Sequence, residues 1–184
     1  MTIPRFYVPG PWTSDRITFP EKASHHAMRV LRMRNGDEAE VFDGEGRTAR
    51  GRTEFSSEGT VLIAESYPEH GRESPLFITL AQAFVSPDKM EWITEKAVEA
   101  GASRIVFFPA ARSVTKLSGD KLTKRLEKLR ATAVSACEQC GRSRIPEIET
   151  FASAEAMLSG LNADARVILA PSSDPGLALG AARS

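Results

Sequence analysis

The sequence is short of several features that mark whole classes of proteins. Its 184 residues include two cysteines, Cys137 and Cys140, which are too few for a disulfide framework. No apolar run approaches the roughly 20 residues of a membrane-spanning helix. The N-terminus also lacks the charged and apolar regions of a secretory signal. We therefore expect a cytoplasmic protein, because thiols stay reduced in that compartment.

Familiar catalytic and metal-binding motifs are missing as well. There is no Gly-x-Ser-x-Gly, Walker or His-Glu-x-x-His pattern, so nucleophilic catalysis and metallohydrolase chemistry have no support. Cys137 and Cys140 have no second ligand pair at zinc spacing and lie at a helix end, which favours packing over zinc or redox chemistry. His25 and His26 are adjacent, so their side chains point apart on a helix. We expect no metal site.

Net charge is zero, since 24 lysines and arginines balance 24 aspartates and glutamates, but the charge is unevenly distributed. From Arg112 to Arg144 there are nine basic residues against three acidic ones. A basic segment in a neutral chain is typical of a protein that binds a polyanion. A solvated helix face is the alternative interpretation.

The residue pattern changes near residue 73 and predicts two domains, 1–72 and 73–184. The first has short β-forming runs at 17–19, 37–42 and 59–65, separated by turn signals such as Asn35-Gly36, which indicates a small β-barrel. The second alternates helices with apolar strands, and those strands are predicted at 76–81, 104–109 and 166–171. Uninterrupted apolar strands alternating with helices predict a parallel α/β sheet.

The predicted parallel sheet also predicts where a ligand binds. In such sheets ligands lie beyond the carboxyl ends of the strands. Arg112 follows the second predicted strand, so a cation stands where the site is expected. A surface-loop arginine without a function is the alternative.

Several segments, taken in order, resemble one known family. They are Arg5-Phe-Tyr-Val, the 25–32 segment His-His-Ala-Met-Arg-Val-Leu-Arg, 36–44, 80–85, 88–96, 101–106, 112–117, and Glu138-Gln followed by Arg144-Ile-Pro. This ordered set is similar to the bacterial ribosomal RNA small subunit methyltransferase E family, and the similarity extends over nearly the whole chain.

The resemblance implies both a fold and an activity. The fold is α/β plus a small β-barrel: an N-terminal PUA-like barrel that binds RNA and a C-terminal SPOUT-type parallel α/β domain with a trefoil knot, an exception to the rule that chains do not thread loops. The activity is methylation of N3 of one uridine in 16S ribosomal RNA of the small subunit. The implied cofactor is S-adenosylmethionine (SAM), and the implied assembly is a homodimer.

Basic residues become candidate RNA contacts under this resemblance. Arg112 is the predicted catalytic residue, because a fixed cation stabilises the anion that forms when uridine N3 loses its proton. Arg142 and Arg144 are predicted to flank the same opening. Glu138 is a candidate base, with a helix-cap or salt-bridge role favoured. The predicted RNA-binding residues are Arg5, Arg29, Arg32, Lys89, Lys116, Arg142 and Arg144, and the predicted cofactor-binding residues are Leu169, Ala170 and Pro171.

The chain departs from the family at its C-terminal end. Beyond Pro171 the family has a Gly-Pro-Glu-Gly-Gly loop and then a Leu-Gly-x-Arg-Ile-Leu-Arg segment, and neither occurs before Ser184. We therefore expect the α/β domain to be incomplete, without the main cofactor loops and with reduced activity. A non-catalytic RNA-binding module, an inactive fragment and a nucleotide-binding α/β protein of another chemistry remain as alternatives.

Overall fold

The computed structural model describes residues 3–68, 73–111 and 117–168. Within these ranges the chain forms a five-stranded sheet followed by a three-stranded sheet. The strands are β1 (Arg5–Tyr7), β2 (Arg16–Thr18), β3 (Glu38–Phe42), β4 (Thr48–Ser56), β5 (Gly59–Ser66), β6 (Thr79–Ala83), β7 (Arg104–Phe108) and β8 (Glu147–Thr150). The helices are α1 (Glu21–His25), which continues as a π-helical turn (His26–Val30), α2 (Pro87–Glu99), α3 (Gly119–Cys140) and α4 (Ala154–Gly160).

The N-terminal domain is built on strands in the order β1-β3-β4-β5-β2. Its core contains Phe6, Ile17, Val41 and Leu62, all nearly inaccessible to solvent. β4 has a register shift beside Gly51, where a Cβ atom would lie 1.9 Å from a carbonyl oxygen of β5. Only glycine fits this contact, so the bulge in the β4–β5 hairpin depends on it.

The C-terminal domain confirms the predicted parallel sheet. Its strands have the order β6-β7-β8, and both pairings are parallel. Helices α2 and α3 pack together on the sheet, and α3 presents Leu129, Ala133 and Ala136 to the core at helical spacing. The helix ends at Gly141, whose φ of 86° is the left-handed conformation that closes a helix at little cost in a glycine.

One predicted strand of this sheet is wrong. The third strand is β8 (Glu147–Thr150), whereas residues 166–168 have no regular structure and Ile168 is 87% exposed. The prediction relies on an apolar run as the strand signal, but β8 carries a single large apolar residue, Ile148, which is buried against the core. Residues 169–171 of the predicted strand lie outside the described residues.

The two domains share part of one hydrophobic core. Phe42, at the end of β3, is fully buried within the core cluster of the C-terminal domain, with Tyr7 and Ile145 packed against it. Backbone hydrogen bonds reinforce the join, since Ile145 N donates to Gly44 O at 3.0 Å. The domains are therefore connected by packing and hydrogen bonds as well as by the linker. In the described part of the chain, no helix combines the length and apolar character needed to cross a membrane.

Candidate functional site

The carboxyl edge of the parallel sheet is the expected ligand-binding edge. β6 and β7 end there at Ala83 and Phe108, and α2 and α3 begin on the same side because each helix runs back across the sheet. Lys89 is exposed in the first turn of α2, next to this edge. After β7 the described residues continue to Ala111 and resume at Leu117. The predicted residues Arg112, Lys116, Leu169, Ala170 and Pro171 lie outside the described residues.

Arg142 has a structural role that the sequence interpretation missed. The residue is 6% exposed, and its Nε and Nη2 atoms donate to Glu73 Oε2 at 3.0 and 2.8 Å. Its Nη1 donates to the carbonyl oxygens of Val98 and Ala102 at 3.0 and 2.8 Å. Its guanidinium is enclosed by the protein, where it holds α2, the linker and the end of α3 together, and this burial argues against the predicted contact between Arg142 and RNA.

Glu73 is the anion at the centre of this arrangement. Its Oε1 accepts the backbone N–H groups of Ser143 and Arg144, both at 2.9 Å, while Oε2 accepts Arg142. Burial opposes ionisation of the carboxyl, but the hydrogen bonds from Arg142, Arg144 and Ser143 outweigh it and lower its pKa. No sequence pattern marked Glu73, which lies in the linker, because its partners come from the loop after α3.

Arg5 makes the equivalent connection from the N-terminal domain. Its Nε donates to Glu40 Oε1 at 2.6 Å, and Nη1 donates to the carbonyl oxygens of Cys137 and Arg142 at 3.0 and 3.2 Å. Nη2 donates to Ser143 Oγ at 3.2 Å, and the guanidinium lies over the Phe42 ring. Only 11% of the Arg5 side chain is exposed, so Arg5 joins the domains, and its burial argues against the predicted contact with RNA.

The position of this network corrects a second part of the interpretation. Arg142 and Arg144 both precede β8, and Arg142 contacts Ala102, which precedes β7, so the two arginines lie at the amino edge of the parallel sheet. Arg112 follows the carboxyl end of β7 in the sequence. A five-residue strand is about 15 Å long. The arginines after α3 therefore do not flank the opening at the carboxyl edge.

Glu138 also lies at the amino edge, near the end of α3. Its Oε1 accepts the backbone N–H of Tyr7 at 3.0 Å, and burial raises the pKa of its carboxyl. The contact joins α3 to β1, so the favoured structural role for Glu138 matches its surroundings.

The remaining predicted RNA contacts on the described surface are exposed. Arg29 belongs to the π-helical turn, Arg32 follows it, and Arg144 lies over the 43–47 turn of the N-terminal domain. A Cβ atom on Gly46 would lie 3.0 Å from Arg144 Nε, so glycine makes room for this side chain. These three arginines are therefore exposed to solvent on the N-terminal domain or next to it.

The cysteines are packing residues, as expected. Cys137 is fully buried in the core, and burial raises the pKa of its thiol to about 12. Its Sγ donates to Arg144 O at 3.6 Å, and Cys140 packs against the same core. Within residues 3–68, 73–111 and 117–168, no three His, Cys, Asp or Glu side chains come close enough to hold a metal ion.

Comparison with known families defines the class of protein. Residues 72–183 match the RNA methyltransferase domain family, and residues 19–64 match the RNA methyltransferase PUA domain family. The matched ranges correspond to the two sheets, a PUA-like domain and a parallel α/β methyltransferase domain. The first of these matches covers more than half of the chain, so the chain belongs to the RNA methyltransferase family.

Individual relatives agree with this assignment. The ribosomal RNA small subunit methyltransferase E of Bacillus subtilis is 34% identical over 126 residues, which cover 67% of this chain and 49% of the relative. The enzyme of the same name from Mycobacterium tuberculosis is 35% identical over 128 residues, covering 67% of this chain and 47% of the relative. The chain thus spans about half the length of these relatives.

Solved structures extend the likeness to three dimensions. Lpg2936 of Legionella pneumophila, solved with the cofactor SAM, is 28% identical and superposes with a TM-score of 0.87 over 94% of this chain and 72% of that one. The ribosomal RNA small subunit methyltransferase E of Neisseria gonorrhoeae, bound to SAM, is 30% identical with a TM-score of 0.72, covering 81% of this chain and 63% of that one.

Proposed function

We propose that this protein takes part in SAM-dependent methylation of N3 of a uridine in 16S ribosomal RNA of the small subunit, in the cytoplasm and as a homodimer. The observation that carries the proposal is the combination of a PUA-like domain and a methyltransferase-type parallel sheet joined through a shared core and the Arg5 and Arg142 contacts. Such a join keeps an RNA-binding surface at a fixed distance from the ligand-binding edge.

The cofactor is proposed to bind at the carboxyl edge of the parallel sheet. The described part of this edge offers the partly buried side chains of Val85, Phe108 and Pro109, and apolar groups of this kind fit the face of an adenine ring. Leu169, Ala170 and Pro171 are the residues proposed to hold the cofactor. When bound, SAM supplies an electrophilic methyl group.

The protein's part in the reaction is to prepare the uridine. N3 carries a proton at neutral pH, so its alkylation requires that this proton pass to solvent water and that the negative charge left on the ring be stabilised. We assign this task to Arg112, because a guanidinium stays charged at all relevant pH values and needs no proton transfer to act. Lys89 and Lys116, close to the same edge in the chain, are proposed to hold the flanking phosphates.

Two measurements test this function. Calorimetric titration with SAM measures cofactor binding, and incubation with SAM and small-subunit RNA, followed by mass spectrometry of the nucleosides, detects 3-methyluridine. We expect both to be positive and Arg112→Ala to lower turnover at least tenfold, with an unchanged melting temperature. Arg104→Ala is the matched control, since Arg104 begins β7 at the opposite edge and pairs with Glu147.

A non-catalytic RNA-binding protein is the second candidate. It is favoured by the exposed Arg29, Arg32 and Arg144, since phosphate contacts from arginines need no cofactor. RNA binding without SAM binding would select this candidate and reject the methyltransferase proposal. Methyl transfer that is unaffected by Arg112→Ala would leave the activity in place and reject the role of Arg112.

A further inference from the structure

One depression on the N-terminal domain is separate from the contacts described above. Its walls are formed by six residues, which we call the barrel patch, and its volume is about 410 Å³. The barrel patch consists of Met28, Arg29, Met33, Arg34, Asn35 and Phe55. A volume of this size lies within the range of small-ligand sites.

The backbone beside the barrel patch is unusual. The chain makes a π-helical turn at His26–Val30, and Arg32 has a φ of 54°, a left-handed conformation that is uncommon outside glycine. Both features are rare, and both are found disproportionately at functional sites. This segment leaves Val30 and Leu31 60% and 44% exposed, although each is apolar.

The charge of the patch complements a polyanion. Arg29, Arg32 and Arg34 lie within six residues, and the sequence has no acidic residue between Lys22 and Asp37. Asp37 accepts the backbone N–H of Arg34 at 2.7 Å, which holds the turn. Arg29 and Arg34 therefore line an apolar depression, and the acidic residue nearest to them in sequence, Asp37, is hydrogen-bonded to the backbone of the turn.

The floor and one wall of the patch suit a nucleobase. Met33 and Phe55 pack on the core of the domain, and Met28, which is 37% exposed, lines the same depression. Asn35 Oδ1 accepts Phe55 N at 2.7 Å, which fixes the amide and directs its NH₂ group away from that bond. Apolar and aromatic faces bind unstacked bases, and arginines bind the phosphates on either side.

We propose that the barrel patch binds one unstacked base of single-stranded RNA, with Met28, Met33 and Phe55 against the face of the base and Arg29 and Arg34 on the neighbouring phosphates. The inference rests on RNA as the substrate class of the proposed function. An acidic segment of a partner protein would use the arginines but would gain little from the apolar floor, so RNA is the occupant that uses the whole patch.

The test uses the whole chain and two fluorescent probes, a short oligouridylate and the same backbone with abasic positions. Met28→Ser should weaken binding of the oligouridylate about fivefold or more and leave binding of the abasic probe unchanged. Arg29→Ala should weaken binding of both. Val30→Ser is the matched control, because Val30 is exposed on the same segment but does not line the patch.

If Met28→Ser bound the oligouridylate as tightly as the unchanged protein does, the proposal that the barrel patch binds a base would be overturned. The same would follow if Met28→Ser lost affinity equally for the oligouridylate and for the abasic probe. Failure of the unchanged protein to bind oligouridylate, or binding of polyglutamate as tight as that of RNA, would also overturn it. Calorimetry with SAM separates the two proposals. If the variants change RNA binding as predicted but the protein does not bind SAM, the barrel patch is supported and the methyltransferase function is rejected. If the protein methylates RNA but Met28→Ser leaves RNA binding unaltered, the methyltransferase function is supported and the barrel patch is rejected.

Discussion

Replacement of Arg142 by methionine is expected to destabilise the protein strongly. The side chain of Arg142 is 7% exposed and that of its partner Glu73 is 20% exposed. Arg142→Met leaves the carboxylate of Glu73 without its cation. It also removes the N–H groups that donate to the carbonyl oxygens of Val98 and Ala102. Loss of one partner of a buried ion pair costs about 3–5 kcal/mol. In a chain of this length each kcal/mol corresponds to about 2–4 °C, so we expect the melting temperature to fall by about 10 °C.

Urea unfolding followed by circular dichroism measures the free energy of unfolding directly. The matched control is Arg52→Met, because Arg52 pairs with Glu38 and Glu65 while 52% of its side chain is exposed. Exposed pairs of this kind contribute about 1 kcal/mol or less. If Arg142→Met and Arg52→Met were destabilised equally, the structural role of Arg142 would be refuted.

RNA binding by the same variant tests the correction of the sequence interpretation. At a temperature where Arg142→Met is folded, its affinity for RNA should equal that of the unchanged protein, because the buried guanidinium does not reach the surface. A loss of affinity in the folded variant, with a smaller slope of affinity against salt, would show that Arg142 contacts a phosphate after all.

Three further predictions concern residues at or near the contacts between the two domains. Gly44→Ala should lower the free energy of unfolding in urea by about 1 kcal/mol more than Gly36→Ala does. Both glycines have a left-handed φ (87° and 86°), but only at Gly44 would the new Cβ meet Ile145 and Tyr7, at 2.9 and 3.0 Å. Equal losses in the two variants would contradict this contact. Since the pKa of Glu73 is lowered on folding, its stabilising contribution is present above the ordinary carboxyl pKa of about 4.3 and disappears as the pH falls. Glu73→Gln should therefore reduce the loss of folding stability at acid pH. An unchanged loss of stability at acid pH would contradict the role of Glu73 as a paired carboxylate. In a Cys140→Ser background Cys137 should react with a thiol reagent only on unfolding, because its pKa is raised to about 12; fast labelling of the native protein would contradict its burial.

Much of the fold was predictable because its signals are local. The turn pair Asn35-Gly36 lies just before β3, and the predicted alternation of helices with apolar strands matches the parallel sheet of the C-terminal domain. β8 escaped prediction because its one buried apolar residue, Ile148, is recognisable only beside β7. The exposed run Val167-Ile168 shows the converse, since apolar composition alone does not fix a strand.

The candidate site was less predictable, because the role of an arginine depends on partners that are distant in sequence. Arg5 and Arg142 resemble surface cations in a linear reading, yet their partners Glu40 and Glu73 lie 35 and 69 residues away. Arg29 and Arg32, whose surroundings are mostly local, are found on the surface as expected. The barrel patch needed the structure as well, because Phe55 reaches Asn35 only through strand pairing.

The geometry of the join bears on how an RNA target would be chosen. The N-terminal domain is attached at the amino edge of the parallel sheet, through the contacts of Arg5, Glu138 and Ile145, while the proposed reaction takes place at the carboxyl edge, about 15 Å away along the strands. Because the shared core prevents the domains from closing on each other, an RNA that reaches both regions must itself span that distance. A folded ribosomal segment does so with a fixed shape, whereas a flexible strand loses conformational freedom when it reaches both regions. Methyl transfer to a folded RNA fragment should therefore exceed transfer to the isolated strand, and Arg29→Ala should reduce this difference by lowering the rate more on the folded fragment than on the strand.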